Sequence, residues 1–117
     1  MANTKYPFGS PESTSITGTG TKAVVASDNL ILLNISALTG AVTLNLTFDQ
    51  SIQVGARIVI HAIQGATGQN VVLGTGFAAS AVDLTGVAND EDILELYYNG
   101  TEMVPFSAAW AKIVNAV

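Results

Sequence analysis

Residues 41–47 read Ala41-Val42-Thr43-Leu44-Asn45-Leu46-Thr47, a run in which apolar and polar side chains alternate at every position. Successive side chains of a β-strand point to opposite faces of the sheet. Val42, Leu44 and Leu46 would therefore share one face, and the polar residues would share the other. The stretch predicts a strand with one buried and one polar face.

Similar short runs lie on both sides of this strand. They are rich in Val, Ile, Leu and Thr and are separated by Gly, Asn and Asp at intervals of about ten residues. This spacing predicts an all-β fold, an antiparallel sandwich or jelly-roll-like barrel of about eight short strands. A chain of 117 residues has room for one core, so we expect a single domain at 21–117. The predicted strands are 21–26, 29–35, 41–47, 56–63, 70–75, 81–84, 93–98 and 101–106.

The tetrapeptide Tyr98-Asn99-Gly100-Thr101 predicts a β-hairpin. Asn-Gly readily adopts the two positive φ angles of a type I′ turn, whose twist matches that of the flanking strands. Such a two-residue loop would place Tyr98 opposite Thr101. It would also bring Leu96 close to Met103 across the hairpin.

Two predicted strands, 29–35 and 56–63, are apolar at nearly every position. Strands of this kind are usually covered on both faces. In an antiparallel sheet, the second cover can be another subunit. We therefore expect a subunit interface at these strands, formed by Leu30, Leu32, Ile58, Ile60 and His61.

Residues 1–20 are rich in Ser, Thr, Gly and Pro and show no hydrophobic period, which predicts a flexible N-terminal arm. The arm contains the apolar cluster Tyr6, Pro7 and Phe8. One interpretation is an ordinary disordered terminus. The other is a partner-binding anchor that becomes ordered when the arm meets a partner.

The segment after Pro105 allows two interpretations. Trp110, Ile113, Val114 and Val117 have helical spacing, with Ser107 as a candidate N-cap. Residues 109–114 fit a final strand equally well.

The composition favours association with other protein surfaces. Hydrophobic residues make up 49% of the chain and charged residues only 11%, whereas ordinary soluble domains carry about 25% charged residues. A small chain this apolar would expose a large hydrophobic patch as a monomer. We therefore expect a homo-oligomer. The net charge of −5 and the four scattered basic residues argue against nucleic-acid binding. No apolar run has the length of a membrane-spanning helix, so we expect no membrane partner.

Residues that could carry chemistry are few. His61, the single histidine, lies in an apolar run without a sequence frame for a catalytic dyad or triad. Asp90, Glu91, Asp92 and Glu95 form an acidic cluster, which could bind calcium but lacks the spacing of a calcium loop and equally fits a solvated turn. Cysteine is absent. We therefore expect no enzymatic activity, no metal and no cofactor.

Four motifs follow one another in a recognisable order. They are the strand Asn29–Asn34, the turn and strand Thr39–Leu46, the Val-Gly-x-x-Ile-x-Ile segment Val54–Ile60, and the Tyr-Asn-Gly hairpin at Tyr98–Gly100. This order, over residues 20–106, resembles that of small β-structured modules in the virions of tailed bacteriophages. One departure is Met103, at a place where many such modules carry an aromatic residue.

The resemblance implies a structural protein of the virion, made in the host cytoplasm. It also implies a homotrimer that binds the major capsid protein or another virion protein. Tail fibres usually carry a long shaft, whereas here about twenty residues precede the module. This favours a capsid decoration or head-fibre protein that stabilises the capsid. The alternative is a carbohydrate- or receptor-binding tail-fibre adhesin, which would need solvent-facing aromatic residues such as Tyr97 or Trp110.

Overall fold

The computed structural model describes residues 12–27, 29–107 and 109–113, and within these ranges it contains strands and no helix. The prediction of an all-β protein is confirmed. The described part of the chain accordingly offers no helix that could cross a membrane. The strands are β1 (Glu12–Ala26), β2 (Leu30–Phe48), β3 (Arg57–Ile63), β4 (Val71–Leu73), β5 (Glu91–Tyr98), β6 (Met103–Pro105) and β7 (Ala111–Ile113).

All seven strands belong to one mixed sheet. Its order is β1-β2-β3-β5-β6, with β4 beside β2 and β7 beside β5. β2 runs parallel to β1, β3 and β4, whereas β5 runs antiparallel to β3, β6 and β7. The antiparallel arrangement expected from the sequence therefore holds only for the second half of the chain. The first half pairs in parallel.

The two longest strands, β1 and β2, must bend back on themselves. Three residues, 27–29, link the end of β1 to the start of β2, yet Ala26 pairs with Phe48 at the far end of β2. A straight strand of the length of β2 would span about 60 Å, at about 3.3 Å per residue. The longest dimension of the molecule is 44 Å. The end of β2 must therefore lie close to its beginning.

The bend coincides with an irregularity in the pairing of β1 with β2. The register shifts between Thr17 and Gly18 and again between Gly18 and Gly20. Both glycines have positive φ, 86° and 95°, a conformation that other residues adopt only at a cost. The bend divides each strand into a first limb (12–17 in β1, 30–36 in β2) and a second limb (20–26 and 41–48).

The hydrophobic core lies between the limbs. The first limb of β2 contributes Ile31, Leu33 and Ile35, and its second limb contributes Val42, Leu44 and Leu46. Next to these, β3 adds Ile58, Ile60 and Ala62, β4 adds Val71, and β5 adds Leu94 and Leu96. The sheet thus curls around a single core as a half-barrel, and each strand keeps one face outside.

Several predicted boundaries need correction. β2 unites the predicted strands 29–35 and 41–47, because the chain bends between them without leaving the sheet. Residues 12–20, predicted to belong to the arm, are part of β1, since backbone pairing to β2 does not require apolar side chains. The predicted strand 81–84 is reduced to an isolated bridge between Leu84 and Val71. Near the C-terminus, 111–113 form a strand, while 114–117 lie outside the described residues.

The predicted hairpin joins β5 and β6, but its register differs from the prediction. Tyr98 pairs with Met103, and Leu96 pairs with Pro105. Only Gly100 in the loop has a positive φ, 104°, so the turn is not type I′. The Asn99 side chain explains the longer loop, because its Oδ1 accepts hydrogen bonds from the backbone N–H groups of Thr101 and Glu102, both at 2.9 Å.

We predict that Gly100→Val destabilises the protein by about 1–3 kcal/mol, because a β-branched residue is strained at positive φ. The control is Gly65→Val, at an exposed glycine of ordinary φ with no atom within 4 Å of an added Cβ. That change should cost less than about 0.5 kcal/mol. Urea unfolding of both variants checks this, and equal midpoints would contradict the loop geometry.

Candidate interaction surface

One side of the central strands carries the residues that point away from the core, and we call it the outer face. Burial alternates strictly along β3 and along most of β5, so every second residue belongs to this face. Its members are Leu30, Leu32 and Asn34 from β2, Arg57, Val59, His61 and Ile63 from β3, and Glu91, Ile93, Glu95 and Tyr97 from β5.

The register arranges the outer face in rows across the strands. Leu32 of β2 pairs with Val59 of β3. The next row places Asn34 beside His61 and His61 beside Ile93. Leu32 remains 36% exposed, and Val59 and Ile93 are half-buried. The middle of the face is therefore a strip of three apolar side chains, Leu32, Val59 and Ile93, that are partly exposed.

One ion pair and one histidine–carboxylate hydrogen bond cross the outer face from β3 to β5. Arg57 Nη1 lies 3.2 Å from Glu95 Oε2, and His61 Nε2 lies 2.7 Å from Glu91 Oε1. Both pairs run diagonally between neighbouring strands, a spacing that long side chains can bridge. Pairs this exposed contribute little to stability, typically about 0–1 kcal/mol. Their main effect is to give Arg57, Glu91 and Glu95 hydrogen-bond partners within the chain, beside the apolar strip.

An aromatic corner closes one end of the face. The rings of Tyr97 and Phe106 have centroids 5.2 Å apart and an interplanar angle of 54°. The Arg57 guanidinium lies 5.2 Å from the centroid of Phe106, which is within cation–π range. Phe106 is 54% exposed. By contrast, Trp110 donates its indole N–H to the carbonyl of Val82 at 2.7 Å and packs against the core.

The acidic cluster of the sequence is divided between the two faces of β5. Glu91 and Glu95 point outward to His61 and Arg57, whereas Asp92 is almost fully buried and Asp90 lies beside it. Lys112 Nζ on β7 lies 3.0 Å from Asp90 Oδ2 and 3.2 Å from Asp92 Oδ1. Each of the four carboxylates thus faces a cationic or titratable partner. In the described ranges, no group of three His, Asp or Glu side chains is arranged to hold a metal.

Lys112 compensates two carboxylates at once. Hydrogen bonding to Asp90 and then to Asp92 raises the pKa of its ammonium group, since both contacts favour the charged form. A raised pKa means that the contribution to stability is present at neutral pH. It is lost as the pH rises through the alkaline range in which Lys112 gives up its proton.

The structure separates the residues predicted to form an interface. Leu30, Leu32 and His61 lie on the outer face, half-buried or exposed. Ile58 and Ile60 are fully buried in the core of the same chain, so the prediction that they form a subunit interface needs correction. Strand β3 carries apolar residues on both faces, but within the described chain only its outer face is partly exposed. Tyr6, Pro7 and Phe8 lie outside the described residues.

Sequence reasoning named Tyr97 as a candidate surface aromatic residue but missed Val59, Ile93 and Phe106. In β3, apolar residues point inward (Ile58, Ile60 and Ala62) and also outward (Val59 and Ile63). The alternation of side chains along the strand therefore does not reveal which set faces the core. The one available signal was Arg57. A charged residue at the start of the strand marks the odd-numbered positions as the outward set.

Comparison of this chain with models of protein families, with curated proteins and with solved structures finds no match.

We predict that Lys112→Met lowers the melting temperature at neutral pH, because Asp92 would be left buried without its cation. The difference from the unchanged protein should shrink at alkaline pH, where Lys112 itself loses its charge. Lys22→Met is the matched control, since Lys22 makes no ion pair with another described residue. Thermal unfolding across pH measures both, and a difference that does not vary with pH would contradict the assigned role.

Proposed function

We propose that this chain is a non-enzymatic structural protein of a bacteriophage virion, which forms a homotrimer and binds the capsid surface as a decoration or head-fibre protein. The observation that carries the proposal is the outer face. It combines a partly exposed apolar strip with charged side chains that already have hydrogen-bond partners within the chain.

Such a face is suited to contact with protein. Covering Leu32, Val59 and Ile93 removes apolar area from water, which stabilises association by about 25 cal/mol per Å² buried. Charges already paired within the chain can stay hydrogen-bonded at the rim of an interface, so covering the strip leaves none of them without a partner. The shortage of charged residues along the whole chain points in the same direction.

The arrangement of the carboxylates supports a non-catalytic role. A general acid or base needs a carboxyl group free to exchange a proton with a substrate. Here, Asp90 and Asp92 face Lys112, while Glu91 and Glu95 engage His61 and Arg57. Each of these four acidic residues therefore has a contact with a basic or titratable side chain of its own chain.

The virion part of the proposal rests on the order of the four motifs, which resembles that of phage β-modules. A protein that binds only the assembled capsid stabilises it by mass action, without any chemistry. The partners would be copies of the chain itself and the major capsid protein. The protein would be made in the host cytoplasm and end in the virion.

A second function, carbohydrate binding by an adhesin, is favoured by one observation. The Tyr97–Phe106 corner presents an exposed aromatic ring beside an Arg guanidinium, as sugar-binding surfaces often do. Trp110, the other aromatic residue considered for this role, is held by Val82 and the core. With a single exposed ring at the corner, adhesion is the weaker of the two functions.

We predict that Val59→Lys converts a trimer of about 36 kDa, three times the chain mass of 12.0 kDa, into monomers that still unfold cooperatively. The reason is that a lysine in the apolar strip would be buried without a partner on association. Val87→Lys, at a 49% exposed valine outside the strip, should leave the trimer intact. Light scattering gives the mass. A monomer mass for the unchanged protein would contradict the proposed trimer.

Ile60→Asp serves as the contrasting change on the same strand. Because Ile60 is fully buried in the core, this variant should unfold rather than dissociate into folded monomers. Circular dichroism distinguishes the two outcomes. A folded Ile60→Asp monomer would mean that Ile60 belongs to a subunit interface after all.

We further predict that phage particles purified from a lysate of the infected host bacterium carry this protein on the outside of the capsid. Antibodies raised against the purified protein should label phage heads in electron micrographs. Labelling of tail tips would favour the adhesin. Absence of the chain from purified particles by mass spectrometry would contradict both functions.

A further inference from the structure

β1 forms an open edge of the sheet. One side of the strand pairs with β2, and no strand of the described residues lies on its other side. A cavity of about 640 Å³ opens at this end of the curl, lined by residues 15–17 of the first limb and by 21–25 and Ser27 of the second. The unpaired backbone N–H and C=O groups along such an edge can pair with a further strand.

The unpaired backbone groups belong to residues of β1 whose side chains point away from the core. Ala26 points inward, and its carbonyl accepts a hydrogen bond from the N–H of Asp49, the residue that follows β2. Inward residues of the second limb therefore direct their backbone groups towards β2. Because these groups alternate along a strand, Ala23 and Val25 direct theirs towards the open edge.

The inward side chains beside the opening are apolar, with one exception. Ile16 and Val24 are 7% and 6% exposed. Lys22 follows the same alternation as Val24 and pairs with Leu44 of the core, and a methyl group on Gly18 would lie 4.0 Å from its Nζ. It is half-buried and makes no ion pair with another described residue. A strand laid along the edge would bury this ammonium group, which is costly unless the strand brings an anion.

We propose that the open edge of β1 binds an extended segment of another protein, which adds to the sheet as a strand and places a carboxylate beside Lys22 and an apolar side chain beside Val24. Backbone pairing with Ala23 and Val25 supplies affinity, and the inward side chains supply selectivity, as in other complexes formed by strand addition. Lys22 excludes strands that carry an apolar or basic residue beside it, because its charge would be buried without a partner. This binding is separate from that of the outer face.

The charges of this chain indicate that the segment comes from another protein. Residues 1–11 contain Lys5 and no Asp or Glu, so they bring no carboxylate to Lys22. The edge strand β7 has Lys112 as its one charged residue. Two copies paired antiparallel about their bends would place Ile16 opposite Lys22, since each lies two residues from a glycine of the bend.

Peptide titration followed by NMR tests the selectivity. The probe is the heptapeptide Thr-Val-Thr-Glu-Thr-Val-Thr with blocked ends, whose symmetric pattern presents Val, Glu and Val on one face in either strand direction. Its counterparts carry Gln or Lys in place of Glu. We expect the Glu peptide to bind about tenfold more tightly than the Lys peptide, with the Gln peptide between them.

Lys22→Glu is the variant that tests the charge. It should bind the Lys peptide more tightly than the Glu peptide, because the charge at the opening is reversed. Val87→Glu, at an exposed valine outside β1, should keep the original order of the peptides. The same order in Lys22→Glu as in the unchanged protein would overturn the proposal. Binding of none of the peptides would overturn it as well, and would leave Lys22 as a barrier to strand pairing only.

Hydrogen exchange of the free protein tests whether the edge is open. We expect the amides of Ala23 and Val25 to exchange about tenfold faster or more than the amide of Val24, which faces β2, and the Glu peptide to slow the first two alone. Equal protection of the three amides without peptide would overturn the proposal, because the edge would already be covered. Protection lost on deletion of residues 2–11 would then assign the cover to this chain, and protection lost on dilution would assign it to a second copy.

Discussion

The bend shared by β1 and β2 is the constraint on which the rest of the fold depends. Parallel strands ordinarily need a long crossover connection, because the chain must return to the end from which it started. Here β1 bends back towards its own beginning, so a link of only three residues is enough to start the parallel strand β2. The glycines at 18 and 20 permit the bend at positive φ. The two limbs of each strand can then face each other across one core.

The bend also determines where antiparallel pairing begins. β3 and β4 follow β1 and β2 as the next part of the curled sheet. After them, residues 74–78 connect β2 to β6 through backbone hydrogen bonds of Gly74, Thr75 and Gly76. β5 lies antiparallel to β3 and closes the curl from the other side. Its inward position nearest the end of the core is occupied by Asp92 instead of an apolar residue. A carboxylate buried there would be costly without the ammonium group that β7 brings to it.

The sequence predicts local features well and strand partners poorly. The alternation in 41–47 correctly identifies Val42, Leu44 and Leu46 as core residues, because side-chain period depends only on the strand itself. Whether a neighbour runs parallel or antiparallel depends on how the chain returns. Nothing in the Thr39-Gly40 pair distinguishes a bend within a strand from a turn between strands. The predicted hairpin register was wrong for a related reason. The Asn99 side chain stabilises a longer loop than the Asn-Gly dipeptide suggests. For the surface, Leu30, Leu32 and His61 were correctly placed outside the core, but Ile58 and Ile60 were assigned to the wrong face of a strand that carries apolar residues on both faces.

The two free surfaces of the described chain differ in what they can associate with. An open sheet edge pairs with any strand, and such contacts extend into fibres when the rotation between copies does not close. The outer face instead presents side chains in a fixed pattern, with apolar Leu32 and Val59 between the Arg57–Glu95 and His61–Glu91 contacts, so a partner must match both shape and polarity. A protein that decorates a lattice has to stop at a defined copy number. Contact through the outer face can set such a limit, whereas pairing along the open edge alone would not.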